Sequence, residues 1–203
     1  MAMDCHFTNR LQASSQDGYS LVELIVTVSI TAILGSMALP AFANILRSQQ
    51  SLTVIESLVT AFQQARTSAI MLNRPVTFCA RKTGIACGSD WSQGALVFVD
   101  DNSDNVIDDG EHVLAEIPAF PAGSSISIST FGNRKFLRFA PNGLLENYSA
   151  GNIVYCPPKG TAQDARNLIF TRLGRPRLGT DSNGDGIRED TDGQPLHCPA
   201  GSS

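Results

Sequence analysis

Two acidic loops and one pair of arginines carry the residue types and spacings in this chain that suit chemistry. In the first loop Asp100, Asn102, Asp104, Asp108 and Glu111 fall on the first, third, fifth, ninth and twelfth places of a calcium loop. Its sixth place holds Asn105, where the required turn favours glycine. The second loop repeats the spacing with Asp181, Asn183, Asp185, Glu189 and Asp192, and here Gly186 stands at the sixth place. Each loop reads either as a Ca2+ site or as a solvated acidic turn, and neither reading makes a cofactor a requirement. The arginines lie in Gly174-Arg175-Pro176-Arg177. Gly174 has access to backbone angles closed to other residues, Pro176 fixes its own, and guanidinium forks suit phosphate oxygens. A solvated turn is the alternative. Catalysis is poorly served, because His6, His112 and His197 adjoin no nucleophile motif and no phosphate-cradling glycine loop occurs. The chain is not expected to be an enzyme.

The charge balance qualifies these readings. Over 203 residues, 15 Lys and Arg face 19 Asp and Glu, and the net charge of -4 taken alone argues against a nucleic-acid partner. Its distribution does not. From Arg134 to Arg177 eight basic residues, Arg138 and Arg172 among them, stand against two acidic ones, whereas Asp100 to Glu116 holds seven acids and no Lys or Arg. The chain is a dipole.

The elements that must position these residues start with an apolar run. From Leu24 to Leu46 there is no charged residue, enough helix to cross about 30 Å of hydrocarbon and too long for a secretory signal core. Glu23 stands at its edge and asks for a partner, since a carboxylate near lipid is costly unless neutralised or paired. Beyond the run, Leu52, Ile55, Leu58, Val59, Phe62, Ala65, Ala69, Ile70 and Met71 recur at helical spacing to about Asn73, and Arg74-Pro75 ends the pattern. Short β-branched or aromatic segments follow at Val76 to Cys79, Ala95 to Val99, Ser125 to Ser129, Lys135 to Phe139, Asn152 to Tyr155 and Asn167 to Phe170. A long helix followed by sequence-adjacent strands predicts an α+β fold, with the amphipathic half of the helix packed on an antiparallel sheet.

The segment Gly18-Tyr19-Ser20-Leu21-Val22-Glu23-Leu24, directly before the uncharged helix, resembles the type IV pilin superfamily. The resemblance implies that a prepilin peptidase cuts after Gly18, that Tyr19 becomes the methylated N-terminus, and that Glu23, fifth in the mature chain, pairs with the terminal ammonium of a neighbouring pilin. It divides the chain into a leader at 1–18, a transmembrane and polymerisation helix at 19–46, an amphipathic half at 47–74 and a periplasmic β-rich domain at 75–203. Pro40 falls where pilin helices often kink. Asp17 departs from the pattern, because pilin leaders usually end in Lys or Arg, and Met3 is a second candidate start. The order of helix and strands, the Gly94 to Asp100 segment GALVFVD and the Gly110 to Leu114 segment GEHVL resemble the FimT/GspH branch.

Cleavage removes Cys5 and leaves Cys79, Cys87, Cys156 and Cys198, an even set suited to an oxidising periplasm. Three pairings are open. Cys79 with Cys87 and Cys156 with Cys198 is favoured, the second to hold down a polar tail. Within a FimT-like chain the Gly174 to Arg177 motif resembles the DNA-binding element of minor pilins that serve natural transformation. That implies sequence-independent, salt-sensitive DNA binding through Arg175 and Arg177 on Gly174, with Arg172 and Arg138 as basic neighbours. A type II secretion pseudopilin and a structural priming pilin are the alternatives. The expected place is the inner membrane, then a fibre of major and minor pilins.

Overall fold

A computed structural model describes residues 18–82, 86–146 and 150–199, with the side chains of residues 37–41 and 44 outside that set. The leader before Gly18, with Cys5 and Asp17, and the side chain of Pro40 lie outside the described residues. The chain divides into two compact units, Met1–Ala43 and Asn44–Ser203.

Helix α1 spans Leu21–Leu72. Its start is written in Ser20-Leu21-Val22-Glu23. The Ser20 Oγ accepts the Glu23 backbone N–H at 3.2 Å, satisfying one of the donors that every helix start leaves open. Its end is set by Asn73, which adopts the left-handed conformation at φ 52 and lets the Arg74 N–H return to the Ala69 carbonyl at 3.3 Å. In the second unit, Ile55, Leu58, Phe62, Ala65 and Ala69 are wholly buried on one face of this helix. Ile70 and Met71, read as part of that stripe, instead stand exposed at the helix end.

Nine strands follow among the described residues. The order is β1 (Val76–Arg81), β2 (Cys87–Gly88), β3 (Ala95–Val99), β4 (Val113–Ile117), β5 (Ser125–Thr130), β6 (Phe136–Phe139), β7 (Gly151–Cys156), β8 (Arg166–Phe170) and β9 (Pro176–Leu178). They form two antiparallel sheets where the sequence suggested one. In the first the order is β2-β1-β3-β4 with β6 also paired to β1, and in the second it is β5-β7-β8-β9. Both contribute to one core with α1. Phe62 joins them, its ring meeting Phe139 of the first sheet edge-on at 4.9 Å and Phe170 of the second at 5.5 Å.

Two disulfides, Cys79 to Cys87 and Cys156 to Cys198, are the favoured pairs. The first fixes the short β2 beside β1. The second ties the C-terminal segment to the end of β7.

Candidate functional site

The arginine motif sits at a hairpin of the second sheet. Strand β8 is buried along its length, whereas β9 is an edge strand joined to it by the pairs Ile169 with Arg177 and Phe170 with Pro176. Pro176 begins β9, a place that suits a residue with no N–H to give to the ladder. The motif therefore straddles the turn and the strand, with Pro176 and Arg177 belonging to β9. The turn closes where the Gly174 N–H donates to the Thr171 carbonyl at 2.9 Å. Gly174 has φ +65, and a Cβ there would stand 2.7 Å from the Gly143 carbonyl oxygen, so its position demands glycine twice over.

Around that turn Arg172, Arg175 and Arg177 are exposed, as is Leu173. The hairpin is held from the side by the Leu145 N–H, which donates to the Arg172 carbonyl at 3.0 Å. Charge-bearing side chains on a fixed turn with open solvent before them can meet a polyanion with little ordering cost.

Arg138 does not belong to this surface. It is 7% exposed, and its Nη2 donates to Asp100 Oδ2 at 2.7 Å and to Asn105 Oδ1 at 2.7 Å. Thr77, its partner in the β1 to β6 register, donates its hydroxyl to the same Asp100 oxygen at 2.6 Å. This corrects the expectation that Arg138 faces DNA, because its guanidinium is committed to a buried carboxylate. Arg166, another member of the basic segment, is also internal. Its Nη2 donates to Ser48 Oγ at 2.9 Å and its Nη1 to the carbonyls of Gln163 and Ala165.

The first acidic loop is organised by Arg138. Asp100 is fully buried, and its Oδ1 accepts the Asp104 N–H at 3.1 Å while Oδ2 faces Arg138. Glu111 closes the loop by accepting the N–H groups of Asp101 and Asp108 at 2.7 and 3.0 Å. Asn105, the departure from glycine, takes φ 66. The positive charge that the spacing suggested for Ca2+ is supplied here by Arg138. At the loop's rim Arg74 pairs with Asp101, and that hydrogen bond holds the Asp101 carboxyl below its ordinary range.

In the second loop Asp181 accepts the N–H groups of Gly184 and Gly186 at 2.7 and 2.8 Å, and Asp185 that of Ile187 at 2.7 Å. Glu189 turns to the Ser182 N–H and hydroxyl, both at 2.9 Å, and Asp192 is exposed. Among the described residues no group of three or more His, Cys, Asp or Glu side chains is disposed to hold a metal ion.

At the N-terminal end Tyr19 and Glu23 are exposed. Among the described residues, nothing would lie within 4 Å of a Cβ on Gly18. Among the described residues no helix is long and apolar enough to cross a membrane; the uncharged run from Leu24 to Leu46 includes six positions whose side chains lie outside them.

Sequence reasoning missed two contributors. Ser20 was legible, since a serine three residues before a glutamate is a helix-start signature. Arg66 was not. It lies on α1, and its Nε donates to the Gly143 carbonyl at 3.1 Å beside the hairpin turn.

Comparison with known proteins places this geometry in a family. The model of Type II transport protein GspH matches residues 54–174, and that of the prokaryotic N-terminal methylation motif matches residues 13–39. No curated protein sequence matches. Among solved structures, a crystal form of the type IV minor pilin FimU of Pseudomonas aeruginosa superposes with a TM-score of 0.50 at 21% identity, covering 65% of this chain and 90% of that one. A second crystal form of FimU gives 0.46 at 21%, covering 64% and 92%. At that identity the first likeness speaks for the fold alone.

Proposed function

The chain belongs to the GspH family of pilin-like proteins, and from that premise we propose that it is a minor type IV pilin that binds DNA through the β8 to β9 hairpin and supports DNA uptake in natural transformation. Membership makes it a minor pilin or pseudopilin of a type IV pilus or a type II secretion system, with a fold of structural subunits. The finer assignment rests on one observation, the exposure of Arg172, Arg175 and Arg177 around a turn shaped by Gly174 and the start of β9 at Pro176. A secretion role gives no reason for that cluster. Contacts would be to phosphate, independent of sequence, with dissociation constants on the order of micromolar or weaker and a steep salt dependence.

Processing fits the N-terminal segment. Gly18, where a Cβ would meet no described residue within 4 Å, is open to recognition by the prepilin peptidase. After the cut, Tyr19 would carry the methylated ammonium and the exposed Glu23 would pair with that group on a neighbouring pilin. Before assembly the subunit would sit in the inner membrane through its apolar run, with the β-domain in the periplasm.

The decisive experiment takes the full chain in a non-ionic detergent and measures retardation of duplex DNA. The double variant Arg175→Gln/Arg177→Gln should lose retardation, and unchanged retardation removes the assignment. The alternative, a type II secretion pseudopilin, is favoured by the description of the matching family model. Transformation frequency and secretion, compared in one deletion strain, separate the two.

For the loop from Asp181 to Asp192 we propose a Ca2+ site. Its support is the bond from Gly186 at the sixth position, at φ +85, to Asp181. Calorimetric titration with calcium chloride decides it: heat at millimolar metal that Asp185→Asn abolishes supports the site, and no heat removes it.

A further inference from the structure

Three elements distant in sequence meet at Gly174. The hairpin turn presents a glycine whose absent side chain would lie 3.0 Å from both Cδ and Nε of Arg66 on α1 and 2.7 Å from the Gly143 oxygen. Gly143, at φ +75 in the turn after β6, is itself pressed by α1, where a Cβ would stand 2.6 Å from Ile70 Cδ1. The Arg66 Nε donates to the Gly143 carbonyl at 3.1 Å. The two glycines thus create the space through which the Arg66 stem passes to reach the hairpin. An arginine whose stem is held by packing and by Nε has already lost most of its rotamer entropy.

Building on the DNA-binding reading of the hairpin, we propose that Arg66 supplies a further phosphate contact of that same site, so that the DNA-binding surface is composed jointly by the long helix and the arginine motif. The bond to Gly143 uses Nε alone. Nη1 and Nη2 are the edge that takes a phosphate oxygen pair in a fork geometry. Arg66 is half-buried, where Arg138 is 7% exposed and bound to Asp100, which is why one belongs to the surface and the other does not. The assignment also explains the glycine of the motif. Its role is to admit a fourth arginine to the site, beside Arg172, Arg175 and Arg177, as well as to shape the turn. Because Arg66 sits on the rigid helix, the DNA would be held against α1 and not by a turn alone.

The test is a salt titration of duplex DNA binding by the full chain in non-ionic detergent, read by fluorescence anisotropy. One phosphate contact contributes a slope of about 0.9 in log affinity against log salt, worth about fivefold at physiological salt. Arg66→Met keeps the stem over Gly174 and should lose that factor and that slope, whereas Arg66→Lys should keep the slope. Arg66→Gln is measured beside them, with thermal melts to show that each variant is folded; if both neutral variants fail to fold, a lysine variant with a slope lower by that amount would count against the contact. Loss of affinity with an unchanged slope in the neutral variants would make Arg66 a brace and overturn the proposal. Wild-type behaviour of Arg66→Met alongside a defective Arg175→Gln/Arg177→Gln would overturn it too, leaving the hairpin reading intact. Unchanged binding in all variants would overturn the hairpin reading itself.

Discussion

Arg138 and Asp100 form a buried ion pair, Nη2 to Oδ2 at 2.7 Å, with the arginine side chain 6% and the aspartate 0% exposed. The pair joins β6 to the loop after β3, and Thr77 and Asn105 fill hydrogen-bonding positions around it. A buried charge that keeps its partner is tolerated, and one that loses it is expensive. Arg138→Met should therefore destabilise the domain by about 3 to 5 kcal/mol in urea unfolding. The double replacement Arg138→Met/Asp100→Leu should recover most of that loss. A single variant as stable as the parent would show that the pair does not hold the loop.

The two disulfides differ in the length of chain they close. Cys79 and Cys87 are 8 residues apart and Cys156 and Cys198 are 42 apart, and the second loop contains the whole β8 to β9 hairpin. Loop-closure entropy makes the longer bridge worth about 4 kcal/mol and the shorter about 2.5 kcal/mol. Paired Cys→Ser replacements, compared by urea unfolding, should rank in that order. Equal losses, or the reverse order, would show that local packing around β2 outweighs chain entropy.

Residue spacing carried much of this fold and less of its site. The helix and the strands β1, β3, β5, β6, β7 and β8 were legible because apolar periodicity reports burial directly. Strand β2 is too short to leave a pattern, and β9 opens with proline and is largely exposed. That there are two sheets could not be read, since alternation says which face of a strand is buried and nothing about its partner. Arg138 shows the cost of that gap. Between Leu137 and Phe139 it occupies the polar place of an alternating strand and reads as outward, yet its register partner Thr77 turns it toward Asp100. Arg66 was hidden for the opposite reason, as a polar residue on an amphipathic helix whose proximity to Gly174 exists only after folding.

The acidic loop predicts a pH effect of known sign. The hydrogen bond from Arg74 lowers the Asp101 carboxyl below its unperturbed 3.8. A depressed carboxyl contributes its stability above the unfolded value and loses it as pH falls through the lower folded value, so the effect is confined to acid below about pH 4. Asp101 is nearly half exposed, and the contribution is correspondingly small. Carbon-detected NMR titration should find Asp101 titrating below an ordinary aspartate and returning toward it in Arg74→Gln. An Asp101 midpoint that does not move in the variant would sink the attribution to Arg74.

Gly174 offers the most direct link from backbone geometry to the proposed activity. Alanine at φ +65 bears the left-handed penalty of about 1 to 2 kcal/mol, and its Cβ would meet the Gly143 oxygen at 2.7 Å and the Arg66 stem at 3.0 Å. Both neighbours must give way, and they are the groups that fix the turn and hold Arg66. Gly174→Ala keeps every charge of the hairpin, so a site made only of net positive charge would bind DNA as before. If the site depends on arginines held in place, affinity should fall several-fold while the melting temperature drops by only a few degrees. Anisotropy titration and a thermal melt on the same preparation distinguish the two, and unchanged affinity would mean that the conformation of the motif is irrelevant to binding.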